Sequence, residues 1–139
     1  MATRTAKAQW TGTLKDGSGI MGFADYNGPF SFASRFEEGA GTNPEELVGA
    51  AHAGCYSMFL SALITEEGLT PERVSTTAHV HLGSDETGPV ITGIDLKCEV
   101  MCEGLTIDKF KELAATAKEK CPISRLYAPT DIRLDARMV

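Results

Sequence analysis

The 139-residue chain has little of three things, and each shortage closes a class of answer. Positive charge is in deficit: 13 lysines and arginines stand against 19 aspartates and glutamates, a formal net charge of −6. No broad basic surface is therefore available to neutralise phosphates, and nucleic acid is not an expected partner. Cysteine is sparse and badly placed for structural staples. Cys55, Cys98, Cys102 and Cys121 lie too far apart for a disulfide-framework miniprotein and include no CxxC pair. Uninterrupted apolar sequence is also missing: the most apolar segment, Leu47 to Ile64, carries His52, two glycines and two serines. The opening MATRTAKAQW has basic residues with no apolar run behind them, unlike a secretory signal. The expectation is a cytoplasmic protein with no membrane partner, whose cysteines are buried, metal-bound or catalytic. With 42% hydrophobic and 23% charged residues the composition is globular, and the length suits a single domain over 1–139.

What is present reads as α+β. Ala8, Trp10, Gly12 and Leu14 alternate, Asp16-Gly17 turns the chain, and Ile20 to Ala24 returns it as a hairpin. Asn27-Gly28-Pro29 predicts a further turn, after which Phe30, Phe32 and Ala33 start a third short strand running into Arg35. Thr42-Asn43-Pro44-Glu45-Glu46 opens a helix: Thr42 or Asn43 caps it, Pro44 suits its first turn, and the glutamates face the positive end of the dipole. From Leu47 to Leu63 small or apolar residues fall on nearly every side, which predicts a central helix packed on several faces, ended by Gly68 and Pro71. Gly49 and Gly54 either weaken it or admit another backbone.

Val74, Thr76, Ala78, Val80 and Leu82 then alternate with Ser75, Thr77, His79 and His81, and Ile94, Leu96, Cys98, Val100 and Cys102 alternate with charged residues. These are two strands with one buried face each, Cys98 and Cys102 inward and the histidines outward. That disposition argues against a metal site built from the four. Thr106 caps an amphipathic helix through Ala117; Cys121-Pro122 breaks it, with Cys121 near the cap and expected close to the surface; Ile132 to Met138 is a last strand. Strands and helices do not alternate regularly, as they would in a parallel sheet.

A thiol reacts as the thiolate, so a working cysteine needs a cation or a helix N-terminus beside it. Cys55 sits too deep in its helix for the dipole, which fades beyond the first turn. Arg35 is the candidate cation, with Glu45 the carboxylate to hold its fork. Each residue also has a plainer reading: a buried inert cysteine, a solvated loop arginine, a first-turn glutamate. For Cys121 the plainer reading is a cap. His52, one turn before Cys55, could touch the thiol or simply pack.

The run Gly41-Thr42-Asn43-Pro44-Glu45-Glu46-Leu47-Val48-Gly49-Ala50-Ala51-His52-Ala53-Gly54-Cys55, the upstream FASRFE (Phe32 to Glu37) and the downstream Cys121-Pro122-Ile123-Ser124 resemble the osmotically induced OsmC branch of the OsmC/Ohr family. The likeness extends from the QWTGTLKDGSG hairpin to the final DIRLDARMV strand. It implies an intertwined α+β homodimer with antiparallel sheets around a buried central helix. It further implies a thiol peroxidase with Cys55 attacking organic hydroperoxides, Cys121 resolving as the disulfide partner, and Arg35 and Glu45 completing the site, with no cofactor or metal. Reduction by a dithiol, such as a lipoylated protein, would close the cycle. A non-enzymatic stress-induced binding protein of the same fold is the alternative. One spacing bears on assembly: Glu45 and Cys55 are ten residues apart, about 15 Å of rise on an unbroken helix and on different faces. A glutamate serving the thiol would then come from the second subunit, unless the helix breaks at Gly49 or Gly54.

Overall fold

The computed structural model describes all 139 residues, Met1–Val139. They run β1 (Lys7–Thr11), β2 (Ser18–Phe23), β3 (Tyr26–Phe30), α1 (Phe32–Phe36), α2 (Pro44–Glu66), β4 (Arg73–Asp85), β5 (Gly88–Met101), α3 (Ile107–Lys120), α4 (Pro122–Leu126) and β6 (Ile132–Met138). The class is α+β, with two three-stranded sheets, β1-β2-β3 and β4-β5-β6. The chain forms two compact units, Met1–Leu47 and Val48–Val139.

In the first unit β1, β2 and β3 pair antiparallel, Trp10 opposite Gly19 and Ile20 opposite Pro29. Two expectations fail here. Asn27-Gly28-Pro29 is strand rather than turn, and the chain reverses at Ala24-Asp25, where Ala24 takes φ 46°. Proline is tolerated because β3 is an edge strand, so its missing N–H removes no internal ladder bond. Arg35 is helical rather than extended. Ser31 accepts from the Ser34 amide at 3.1 Å while Ser34 Oγ accepts from the Ser31 amide at 2.8 Å. This reciprocal cap starts a helix where alternating phenylalanines suggested a strand.

The second unit is built on β5. Strand β4 pairs with it antiparallel, Thr76 opposite Cys98 and Val80 opposite Ile94, with a register shift between His81 and Leu82. On its other side β6 pairs parallel, Leu96 opposite Leu134. The sheet is thus mixed rather than wholly antiparallel, because the chain crosses over through α3 and α4 before β6 and returns in the same direction. Ile94, Leu96, Cys98 and Val100 are buried and His79 and His81 exposed, as the alternation requires. The two cysteines and two histidines therefore face apart, and His81 binds Asp95 instead, at 2.6 Å.

Helix α2 begins as expected, with Asn43 Oδ1 accepting from the Glu46 amide at 2.8 Å, and stops before Gly68, whose φ of 79° only glycine adopts cheaply. It is unbroken. Within the second unit it buries one stripe, Gly49, His52, Tyr56, Leu60 and Ile64. Gly49 permits the closest approach: a Cβ there would meet Val80 Cγ2 at 3.2 Å. Ser57 donates to Thr76 across the same seam at 2.7 Å, and Tyr56 donates to the Ala114 carbonyl at 3.2 Å. The opposite face, with Ala51, Gly54, Met58 and Ala62, is exposed, so packing on several faces is not met within one chain. Contrary to the expectation from its polar interruptions, α2 is long and apolar enough by length and composition to cross a membrane. One face, however, holds polar bonds within the protein: Ser57 to Thr76 of β4, Tyr56 to Ala114 of α3 and His52 to Ser124 of α4.

Candidate active site

The α3–α4 break is where the second unit concentrates its chemistry. Pro122 cannot continue α3, so Cys121 becomes both the C-cap of one helix and the N-cap of the next. Its Sγ accepts from the Ser124 amide at 3.3 Å and donates to Ser124 Oγ at 3.2 Å. Cys121 is not near the surface, as the sequence suggested, but wholly buried. The hydrophobic residues of α3 pull the break inward, with Leu113, Ala114 and Ala117 all in the core.

Cys55 meets this corner from α2. It is half-buried, and Cys121 lies close enough to act on its titration. Burial is the largest influence and pushes the Cys55 thiol up; the Ile123 backbone amide opposes this by favouring the thiolate, while the neighbouring Cys121 adds to the rise. Both sulfurs are free thiols. Residues 55 and 121, distant in sequence, are thus brought to one corner of the fold.

His52 does not join Cys55 directly. Its ring is fully buried, with Nε2 2.8 Å from Ser124 Oγ, and packs edge-on against Tyr127 at 5.4 Å between centroids. Nδ1 has no partner, and burial holds the imidazole below its ordinary value, favouring the neutral form. Ser124 had no role in the sequence reading, although its place three residues after a capping Cys121 is the one signal that points to it.

In the first unit Arg35 and Glu45 form the pair their charges suggested. Arg35 Nη2 donates to Glu45 Oε1 at 2.7 Å and Nε reaches both carboxylate oxygens at 3.2 Å. The carboxylate is nearly buried while about a third of the guanidinium side chain is open. The fork is held at one edge, and its remaining donors are free for another acceptor. Beside it lies an apolar cavity of about 420 Å³ bounded by Trp10, Leu14, Phe30, Phe32 and Phe36. The aromatics were legible as strand residues, but not as a cavity wall.

The fold is α+β, and Cys55 and Cys121 are free thiols within it. The chain belongs to the OsmC-like protein family, whose pattern matches residues 37–135. It is 40% identical over 138 residues to the peroxiredoxin OsmC of Escherichia coli K12, spanning 97% of this chain and 96% of that protein. Among solved structures it resembles the organic hydroperoxide resistance protein OhrB of Bacillus subtilis, with 26% identity, TM-score 0.70, and 95% and 97% of the two chains covered. An OsmC-like protein of Mycoplasma pneumoniae shares the fold, with TM-score 0.78 at 13% identity over 99% and 98% of the chains.

Proposed function

We propose that this protein is a cysteine-based peroxidase that reduces organic hydroperoxides, and probes of its chemistry should find hydrogen peroxide accepted as well. The adjacency of the free thiols of Cys55 and Cys121 carries the reading. Cys55 thiolate attacks the peroxide, an alcohol or water leaves, and the sulfenic acid so formed condenses with Cys121 to a disulfide. A dithiol, such as a lipoylated protein, restores both thiols by exchange. Kinship with a peroxiredoxin of 40% identity supports the enzyme over a binding protein of the same fold. The apolar cavity beside Arg35 suits the organic part of such a substrate, and the guanidinium suits its oxygens.

The working form is a homodimer of one OsmC-like domain, 1–139, in the cytoplasm. Burial raises the Cys55 thiol where catalysis needs it lowered, and the groups acting on it within its own chain include no cation. Because α2 is unbroken, Glu45 and Cys55 remain about 15 Å apart along it. The Arg35–Glu45 pair that lowers each Cys55 accordingly comes from the other subunit, and the exposed apolar face of α2 supports such an interface.

The test is treatment with one equivalent of cumene hydroperoxide followed by mass spectrometry, then turnover with dithiothreitol. A Cys55–Cys121 disulfide and dithiol-dependent peroxide loss are expected. Peroxide binding without dithiol-dependent loss would leave the binding protein.

A further inference from the structure

Disulfide closure requires Cys121 to lose a proton while it sits fully buried, with no water-facing route of its own. The geometry points to a built-in path for that proton: Cys121 Sγ to Ser124 Oγ to His52 Nε2. We propose that Ser124 is a catalytic residue of the resolving step, and that His52 is the proton acceptor acting through it. The inference rests on the reading of Cys121 as the resolving thiol.

Three observations carry it. The links are of hydrogen-bond length, 3.2 Å from Sγ to Oγ and 2.8 Å from Oγ to Nε2. The hydroxyl can carry the proton onward: its oxygen accepts from the Cys121 thiol and its own proton is free to go to His52 Nε2, and the relay assigns His52 the tautomer with its ring proton on Nδ1. Finally, Nδ1 is buried without a partner, an arrangement a purely structural histidine has no reason to keep. That orphaned Nδ1–H leaves an imidazolium unsupported, so the ring accepts a proton only in passing. Burial, which holds His52 below its ordinary value, acts in the same sense.

The step balances. Cys121 gives its proton to Ser124 as Ser124 gives its own to His52. The pair freed on Cys121 Sγ forms the S–S bond with Cys55. The S–O bond of the Cys55 sulfenic acid breaks with its pair on oxygen, and the departing hydroxide takes a proton from solvent to leave as water. His52 returns its proton through Ser124, which borders an open cleft of about 670 Å³ shared with Lys118, Glu119 and Arg125. Cys55–SOH and Cys121–SH thus become a disulfide and one water. The titratable and charged groups around the path are Tyr127 against His52, Tyr56 and Cys55 on α2, Cys98 of β5 acting on Tyr56, and Lys118, Glu119, Arg125 and Asp131 in the cleft beyond Ser124.

The experiment is a quenched-flow single turnover with cumene hydroperoxide, following sulfenic acid by dimedone capture and disulfide by mass spectrometry. Wild-type protein, Ser124→Ala, Ser124→Thr and His52→Gln are compared across pH. In Ser124→Ala and His52→Gln the ratio of the closing rate to the first-step rate should fall roughly a hundredfold. Their closing rates should climb about tenfold per pH unit near neutrality, because a thiol without an internal base relies on ionisation to solvent. The wild-type rate should be flat above the ordinary histidine value of 6.5. Ser124→Thr, which keeps the hydroxyl, should retain the wild-type profile. His52→Gln preserves a hydrogen bond but no base, so wild-type closing in that variant would overturn the relay and leave His52 a packing residue. Should a variant fail to fold, wild-type protein in mixtures of light and heavy water decides: two protons in flight give a curved dependence on deuterium fraction, and a linear dependence overturns the relay. Wild-type protein that forms sulfenic acid but no Cys55–Cys121 disulfide overturns the resolving role itself, and this inference with it.

Discussion

The two compact units differ in what holds them together. In Val48–Val139 a continuous apolar core runs from Tyr56, Leu60 and Ile64 of α2 through the inner face of β5 to Phe110 and Ala117 of α3. In Met1–Leu47 no hydrophobic side chain is buried: the buried positions are Gly19, Gly22, Gly28, Ser34 and Glu45, while Leu14 and Ile20 stand more than half exposed. A segment of that size without a core is not stable on apolar burial alone. The chemistry divides the same way. The core-bearing unit holds neutral groups, two thiols, a hydroxyl and an uncharged imidazole, whereas the other holds the ion pair Arg35–Glu45. The ion pair straddles the boundary of its unit, with the Glu45 carboxylate nearly buried and about a third of the Arg35 side chain open to solvent.

The largest effect should come from breaking the thiol side. Cys55→Ser should lower peroxide turnover by roughly four orders of magnitude or more, as loss of a nucleophile does. Cys121→Ser should still consume one equivalent and then pass from sulfenic to sulfinic acid, visible by mass. If Cys121→Ser cannot consume that equivalent while Cys55→Ser can, the two roles are exchanged.

The charged side should matter less but more tellingly. Arg35→Met should slow the first step by roughly a hundredfold, in line with removing one preorganised charged donor, and raise the Cys55 pKa; an unchanged thiolate titration refutes the assignment. Whether the pair acts across subunits is decided by a mixed dimer of Cys55→Ser with Glu45→Ala, purified on two tags. One complete site of two should recover about half the wild-type activity. A mixed dimer no better than the Glu45→Ala parent places the glutamate with its own chain.

How much of this was legible in the sequence follows the same division. Period-two alternation identified β4 and β5 and the inward cysteines, because a strand with one buried face leaves a plain record. Asn43 and Pro44 announced α2 through capping chemistry confined to four residues. The errors lie where local chemistry competed with pattern: Ser31 and Ser34 turned a strand-like Phe30-Ser31-Phe32 into a helix start, and Pro29 entered an edge strand. Cys55 and Cys121 were identified by resemblance, but the burial of Cys121 and its bonds to Ser124 were not foreseen. They depend on α3 and α2 packing together, a fact of tertiary structure that spacing does not encode.

Stability sharpens the contrast between the units directly. Leu60→Ala removes a fully buried side chain and should cost about 2–5 kcal/mol in denaturant unfolding. Ile20→Ala, at 55% exposure, should change unfolding of an isolated chain by about 0.5 kcal/mol or less. If the dimer covers the first unit, Ile20→Ala should instead weaken association, read as a concentration-dependent shift in sedimentation. Equal unfolding costs for the two variants would refute the idea that only one unit carries a core.

The smallest effect concerns pH and belongs to His52 alone. Burial lowers its folded-state pKa below the unfolded value, so the unfolded chain binds the extra proton first as pH falls. By linkage, stability then increases with pH wherever the unfolded state holds more protons. The contribution is fully present above the ordinary histidine value of 6.5 and is lost progressively as pH drops from there toward the folded value. The slope in that window is at most about 1.4 kcal/mol per pH unit, the limit for one proton. Asp95 is held low chiefly by Arg133, so its carboxylate is lost only in stronger acid. His52→Gln should therefore flatten the unfolding free energy between pH 6.5 and the onset of carboxylate protonation, while leaving the acid limb below it in place. Chemical denaturation at closely spaced pH values measures the slope, and an identical slope in wild type and His52→Gln would show that the imidazole does not titrate in the buried position the fold assigns it.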